Sequence, residues 1–266
     1  MSGSEILVRA DPAACTTLAA DRIASCLNSA ATERGRADWA TTGGSSSVGL
    51  YRRLADPAMA DAVPWAGVHV WWGDDRFVPR DHPLSNVKPF DDILLGGGQR
   101  EEGTAGGASG VPIPLDQIHP FPTGEAIGRG LGAAWCAATL ASTLSDAGLE
   151  AADGWPVFDL LLLGIGRDGH LLSVFAGSSA FDATELGLAI PAPTHIEPHV
   201  ERVTLNPAVI AYARNVLVVA FGADKAPVIA DILEGEGDAR ELPARLAARP
   251  GATWILDEAA AAALSR

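Results

Sequence analysis

The chain has 266 residues, 48% of them hydrophobic and 20% charged, and carries 19 Lys and Arg against 33 Asp and Glu for a formal net charge of −14. That length and apolar content suit one large globular unit with a substantial core. The charge balance argues against a broad nucleic-acid or anionic-membrane surface, which needs clustered basic residues, so any anionic ligand has to be small and locally held. The longest apolar stretches, Leu160 to Ile165 and Val216 to Gly222, fall well short of the roughly 20 residues of a membrane span, and no basic segment followed by an apolar one marks a secretory leader. Cys15, Cys26 and Cys136 are odd in number and lack a Cys-x-x-Cys pairing. Neither a disulfide framework nor a zinc knuckle is expected, which fits a reducing cytoplasm.

The alternation of elements begins with an apolar run at Ile6 to Val8. Asp11-Pro12 follows as an N-cap and first helical position, and Ala19, Ile23, Leu27 and Ala30 recur at helical spacing up to Gly35. Asp38 to Thr42, the run Gly43-Gly44-Ser45-Ser46-Ser47 and Val48 to Leu54 read as strand, small-residue turn and helix. Val68 to Trp72 is a β-rich run ending in Gly73-Asp74-Asp75-Arg76, and Asn86 to Leu95 predicts a helix stopped at Gly96. Residues 96–110 form a Gly-rich, low-complexity segment expected to be a mobile surface loop.

Gly124 to Leu144 places Ile127, Leu131, Ala134, Ala138 and Ala141 on one helical face. Val157 to Leu163 is nearly continuous aliphatic, as in a strand covered on both faces. Val203 to Leu205 and Val216 to Phe221 are strand-like, Lys225 to Leu233 helical, and Thr253 to Leu256 a late strand before an Ala-rich terminal helix. The expectation is a single α/β domain over residues 1–266, Rossmann-like and doubly wound, with a mostly parallel sheet and helices on both faces. Ligands of such sheets gather beyond the carboxyl ends of the strands, here Gly43 to Ser47, Gly73 to Arg76, Gly164 to His170 and Gly222 to Lys225.

Thr42 to Ser47 offers backbone NH groups, hydroxyls and an electropositive helix start, as a phosphate cradle does, although no Walker lysine follows. Asp168-Gly169-His170 can form a general base with a carboxylate holding its tautomer. Asp75 and Arg76 set a carboxylate and a guanidinium after a strand, and Arg202 and Lys225 are cations at strand ends in an acidic chain. Each has a bland alternative: a flexible turn, a turn histidine bonded to backbone, an exposed ion pair, a helix-surface lysine. Gly164 to Gly169 also matches Gly-x-Gly-x-x-Gly, but Asp168 stands where a pyrophosphate would lie. His195 and His199 are separated by Pro198 and lack cysteine or Glu-x-x-His company, so no metal site is assigned. The tryptophans are expected as core and interface anchors.

Taken in order, Thr42-Gly43-Gly44-Ser45, Trp72-Gly73-Asp74-Asp75-Arg76-Phe77-Val78-Pro79 with His82 and Ser85-Asn86, Leu163 to His170 continued to Ser178, Arg202-Val203-Thr204-Leu205 and Gly222-Ala223-Asp224-Lys225-Ala226 resemble the 6-phosphogluconolactonase family over about residues 5–258. Asp75 stands where that family usually has Glu, Ser46 where Thr is frequent, and Leu171-Leu172 where Thr-Ala is common; residues 96–110 look like an insertion.

The resemblance implies a hydrolase acting on a phosphorylated sugar lactone, without cofactor or metal and without nucleic-acid or membrane partners; a monomer is compatible with it. It implies His170 as base, supported by Asp168, Arg76 at the oxyanion, and substrate contacts from Gly43, Gly44, Ser45, Ser46, Asp75, Arg202 and Lys225. Glucosamine-6-phosphate deaminases share the Asp-Gly-His turn, but their Asn-Glu and Asp-Glu-Tyr patterns are replaced here by Ser173-Val174-Phe175 and Arg76. A phosphosugar-binding module without turnover is the third reading.

Overall fold

The computed structural model describes residues 3–96 and 110–265. The Gly-rich segment of the sequence reading therefore lies outside the described residues except for Gly96 and Gly110. Among the described residues the strands are β1 (Glu5–Arg9), β2 (Ala37–Thr41), β3 (Val68–Trp72), β4 (Asp74–Arg76), β5 (Ile118–His119), β6 (Ala151–Ala152), β7 (Trp155–Pro156), β8 (Leu160–Leu163), β9 (Gly187–Ile190), β10 (Arg202–Leu205), β11 (Val216–Ala220) and β12 (Ala252–Asp257). The helices are α1 (Pro12–Arg34), α2 (Ser45–Ala55), α3 (Pro57–Ala60), α4 (Lys88–Ile93), α5 (Thr123–Gly128), α6 (Ala133–Asp146), α7 (Val209–Tyr212) and α8 (Ala226–Leu233).

Local chemistry sets the ends of α1. The Asp11 carboxylate accepts the Ala14 N–H at 2.8 Å, and Pro12 supplies the first helical φ. Gly35 then stops the helix in the left-handed region at φ 73°, where a side chain would be strained. The face bearing Cys15, Ala19, Ile23, Leu27 and Ala30 is buried across the central sheet.

That sheet has seven parallel strands in the order β1-β12-β11-β8-β2-β3-β5. The chain advances from β2 through β3 to β5, crosses back, and advances the other way from β8 through β11 to β12. Right-handed crossovers then place the two sets of connections on opposite faces, and the reversal leaves a crevice beyond the carboxyl ends of β2 and β8. The architecture is a Rossmann-like α/β fold. Trp39, Trp65, Trp71, Trp72 and Trp254 are buried, so the tryptophans act chiefly as core anchors. Edge-on ring pairs link Trp39 to Tyr51, Tyr51 to Phe90 and Phe90 to Trp72.

A second, antiparallel sheet in the order β4-β10-β9 pairs Arg76 with Arg202, Asp75 with Val203 and Asp74 with Thr204. Asp74 to Arg76 form a strand where a strand-end loop is expected, and β9 is an unexpected strand, because neither carries a repeating apolar pattern.

Other elements also depart from expectation. The single helix expected over Gly124 to Leu144 is two, broken where Gly130 takes φ 67° and Leu131 N–H bonds to Ala126 O. The strand expected from Val157 begins at Leu160, since the Asp159 carboxylate instead accepts the Asp38 N–H at 2.8 Å and pairs with Arg34 and Arg214. The Ala-rich terminal segment forms turns rather than a helix. There Asp257 Oδ1 takes the Ala260 N–H at 2.7 Å, and a run this short gains too few helical bonds to offset nucleation.

Candidate active site

The crevice between β2 and β8 holds a cavity of about 200 Å³, sized for a small molecule, lined by Thr42, Gly43, Gly44, Ser46, Asp74, Arg76, Asn86, Gly164 to Gly166, His170 to Ser173, Arg202 and Lys225. The turn after β2 is set by Tyr51, whose hydroxyl donates to Thr42 O at 2.9 Å and lies 2.9 Å from Thr41 Oγ1. Gly43 is required because a Cβ there would collide with the Asn86 side chain. Gly44, at φ 91°, begins α2 without a side-chain cap, leaving N–H groups at the helix start available to an anion. Ser45 opens that helix, and Ser47 Oγ donates to Gly44 O at 2.8 Å.

After β8 the chain folds tightly, with Gly169 N–H donating to Gly166 O at 3.1 Å and Gly166 N–H to His170 O at 2.9 Å. His170 Nδ1 lies 2.5 Å from Asp168 Oδ1, and the His170 backbone N–H approaches the same oxygen at 3.3 Å. That bond assigns the Nδ1 proton and leaves Nε2 as the basic nitrogen of a residue that lines the cavity. Burial acts to raise the Asp168 carboxyl, but hydrogen bonds and charge from His170, with a bond from His195, outweigh it and hold it well below the usual range. The glycines of the apparent dinucleotide pattern have a different use here. A Cβ on Gly166 would strike both His170 Nδ1 and Asp168 Oδ1, and Gly169 adopts φ 75° against Leu242.

The turn continues with two non-glycine residues at positive φ, Leu172 at 49° and Ser173 at 54°. Such conformations cost on the order of 1–3 kcal/mol each and persist only when held by their surroundings. Thr204 Oγ1 donates to Leu172 O, and Ser173 Oγ donates to Asp74 Oδ2 at 2.5 Å.

Arg202 is buried at 2% exposure, with its guanidinium 5.5 Å over the Phe175 ring and Nη2 donating to Pro198 O at 3.3 Å. Burial, then the charge of Arg76 opposite it, pulls its pKa down. Arg76 Nη1 donates to Leu84 O at 2.9 Å. Among the described residues, neither arginine, nor Lys225, has a carboxylate within ion-pair distance, and Nε of both arginines is buried without a partner. Burial also lowers the Lys225 pKa, with Asp224 opposing that shift. Two facing guanidiniums with unmet donors form a site that an anion would complete, since unpaired buried charge and polar groups are costly.

The structure thus brings Gly43, Gly44, Ser46, Arg76, His170, Arg202 and Lys225 to one cavity and puts Asp168 behind His170. Asp75 is placed differently. It is fully buried, outside the cavity lining, and its carboxylate accepts Asn86 N–H at 2.6 Å, Arg76 N–H at 2.8 Å and Ser85 Oγ at 3.1 Å. It is therefore a positioning residue for the strand and turn that carry Arg76 and Asn86, and no substrate contact is assigned to it.

Asp74, Asn86 and Ser173 also line the cavity without having been expected there, and His195 joins the site from outside the motifs. His195 Nε2 lies 3.2 Å from Asp168 Oδ2, whereas His199 Nδ1 bonds to Pro193 O at 2.7 Å. Among the described residues no group of three or more His, Cys, Asp or Glu is arranged to hold a metal. No helix among them is long and apolar enough to cross a membrane.

Fold and site together define an α/β protein that gathers two arginines, a lysine and a carboxylate-bound histidine around one cavity at a topological switch point. The chain belongs to the family described as glucosamine-6-phosphate isomerases/6-phosphogluconolactonase, whose model matches residues 10–256. A 6-phosphogluconolactonase of Mycobacterium leprae is 34% identical, over 92% of this chain and 92% of that protein. One from Streptomyces coelicolor is 32% identical over 98% and 95%. Among solved structures, a 6-phosphogluconolactonase from Trypanosoma brucei superposes with a TM-score of 0.81 at 27% identity, covering 98% of this chain and 99% of that one. A monomeric glucosamine-6-phosphate deaminase shares the fold, with a TM-score of 0.75 at 17% identity over 97% and 99%.

Proposed function

We propose that the chain hydrolyses 6-phospho-D-glucono-1,5-lactone to 6-phospho-D-gluconate, the second step of the oxidative pentose phosphate pathway. The observation that carries this reading is the 2.5 Å His170–Asp168 bond opening onto the cavity that also holds Arg76, Arg202 and Lys225. A proton-transfer group and an anion clamp stand within one small-molecule site. The substrate phosphate is held by the N–H groups at the start of α2, by Arg202 and by Lys225. That anchoring places the lactone carbonyl toward His170.

His170 Nε2 removes a proton from water as the water oxygen bonds to the lactone carbonyl carbon. The resulting imidazolium is stabilised by ionised Asp168. Arg76, which lines the same cavity, faces the developing oxyanion; a well-placed donor there contributes about 3–4 kcal/mol. When the tetrahedral intermediate collapses, the bond from carbon to ring oxygen breaks, and the ring oxygen takes the proton from His170. One imidazole serves both proton transfers, without a covalent enzyme intermediate.

The test is the disappearance of freshly generated lactone with wild-type protein, His170→Ala and buffer alone, because the lactone also hydrolyses spontaneously. Ammonia release from glucosamine 6-phosphate is followed in parallel. Acceleration by wild type, lost in His170→Ala and without ammonia, is the expected result. No acceleration over buffer overturns the reading, and ammonia release would then favour the deaminase chemistry.

A further inference from the structure

Asp168 serves two imidazoles. Its Oδ1 is held by His170 from its own turn, and its Oδ2 by His195 Nε2 at 3.2 Å from the segment between β9 and β10. That segment is braced internally by His199 Nδ1, which bonds to Pro193 O at 2.7 Å, and is tied to β10 by Arg202 Nη2, which donates to Pro198 O at 3.3 Å. Phe175 supplies a common wall, with its ring 4.7 Å from the His170 ring, 5.1 Å and edge-on to the His195 ring, and beneath the Arg202 guanidinium. His195 is therefore presented to the carboxylate by an anchored loop.

We propose that His195 is a positioning residue for the His170–Asp168 pair, clamping the second carboxylate oxygen and taking a share of its charge. This inference rests on the proposed role of His170 as the base. A base that must return its proton to the leaving oxygen cannot be bound so strongly by its carboxylate that it keeps the proton. The neutral Nε2–H of His195 on Oδ2 draws on the same negative charge and moderates that hold. When His195 is itself protonated, one carboxylate faces two cations and proton uptake by His170 is opposed. The other charged groups around this trio are Arg202 across Phe175 from β10, Lys225 from the turn before α8, and the Arg167–Asp224 pair at 2.5 Å.

The direction of the effect follows from the bonds that remain without His195. Oδ1 keeps both the His170 ring and its backbone N–H. Asp168 therefore stays on His170, and loss of His195 strengthens the hold on the proton.

The experiment compares wild type, His195→Gln and His195→Ala in two readouts. Gln offers a neutral amide donor at a similar reach but cannot be charged. In lactone hydrolysis, His195→Ala is expected to lower kcat several-fold with KM changed less than twofold, and to move the acid limb to higher pH. His195→Gln is expected to recover most of kcat at alkaline pH while its acid limb stays displaced. In the resting protein, the His170 ring resonances followed by NMR against pH should be displaced in the same direction in both variants, further in His195→Ala, without any turnover. Wild-type-like kcat, pH profile and NMR titration in both variants would overturn the inference. An inactive wild type would overturn the proposed function, and the NMR titration would still decide whether His195 couples to His170.

Discussion

Replacing Gly166 by Ala tests the catalytic geometry from beneath rather than by removing a reactive group. Gly166 is not among the glycines at positive φ, and the atoms nearest an added Cβ are His170 Nδ1 and Cε1 and Asp168 Oδ1. Ordinary van der Waals separation begins near 3.4 Å, and the added methyl must drive one or both groups back by at least about 1 Å. The 2.5 Å bond between them cannot survive that displacement at its present geometry.

A misplacement of about 1 Å costs on the order of 10²-fold in turnover, or about 2.7 kcal/mol of transition-state stabilisation. The same substitution reduces the freedom of the unfolded chain, which offsets part of the local strain, so the melting temperature should move by only a few degrees. The assay is initial-rate lactone hydrolysis corrected for the buffer reaction, with binding of 6-phosphogluconate measured by calorimetry. The expectation is kcat down about 10²-fold with product affinity within about threefold of wild type. A folded Gly166→Ala protein with unchanged kcat would refute the claim that the His170–Asp168 contact supports the chemistry.

Two further predictions address charge. Burial pushes the Asp75 carboxyl up to about 7 from an ordinary 3.8, against the opposing bonds from Asn86 and Arg76. The folded state therefore binds the proton more tightly than the unfolded chain. Stability from this group is present at low pH and declines from about pH 4 to about pH 7, by up to about 4 kcal/mol. Asn at this position can keep both backbone bonds on its oxygen and turn its amide to Ser85 Oγ. Urea unfolding should thus show Asp75→Asn gaining on wild type as pH rises from 4 to 7; a constant difference would contradict the sign. The facing Arg76 and Arg202 predict stabilisation by anions: 6-phosphogluconate at ten times its Kd should raise the wild-type Tm by about 3–5 °C. Arg202→Met should lose most of that rise, and an equal shift in both proteins would move the anion site elsewhere.

What could be read from sequence was what short-range chemistry controls. Asp11-Pro12 and Gly35 marked the ends of α1 because capping and left-handed φ are local requirements. The aliphatic runs of β8 and β11 identified the buried strands, and the Asp168-Gly169-His170 turn proclaimed its own contact because carboxylate and imidazole are two residues apart. The turn between β2 and α2 was likewise legible from its glycines and serines.

The antiparallel sheet was less accessible, because β4 is three residues of Asp-Asp-Arg whose strand character exists only through β10. The same pairing set Arg76 opposite Arg202, and the fold, rather than the motif, turned the Asp75 carboxylate inward onto Asn86. His195 offered no signal beyond an unconvincing spacing from His199. Its role depends on a loop pinned between two strands and on a carboxylate oxygen that His170 leaves exposed. The turns, the strand runs and the family-bearing blocks are legible in the chain because each is encoded within a few residues. Which charges face one another is not, because like-charge pairing and shared carboxylates follow from strand register and loop packing across many residues.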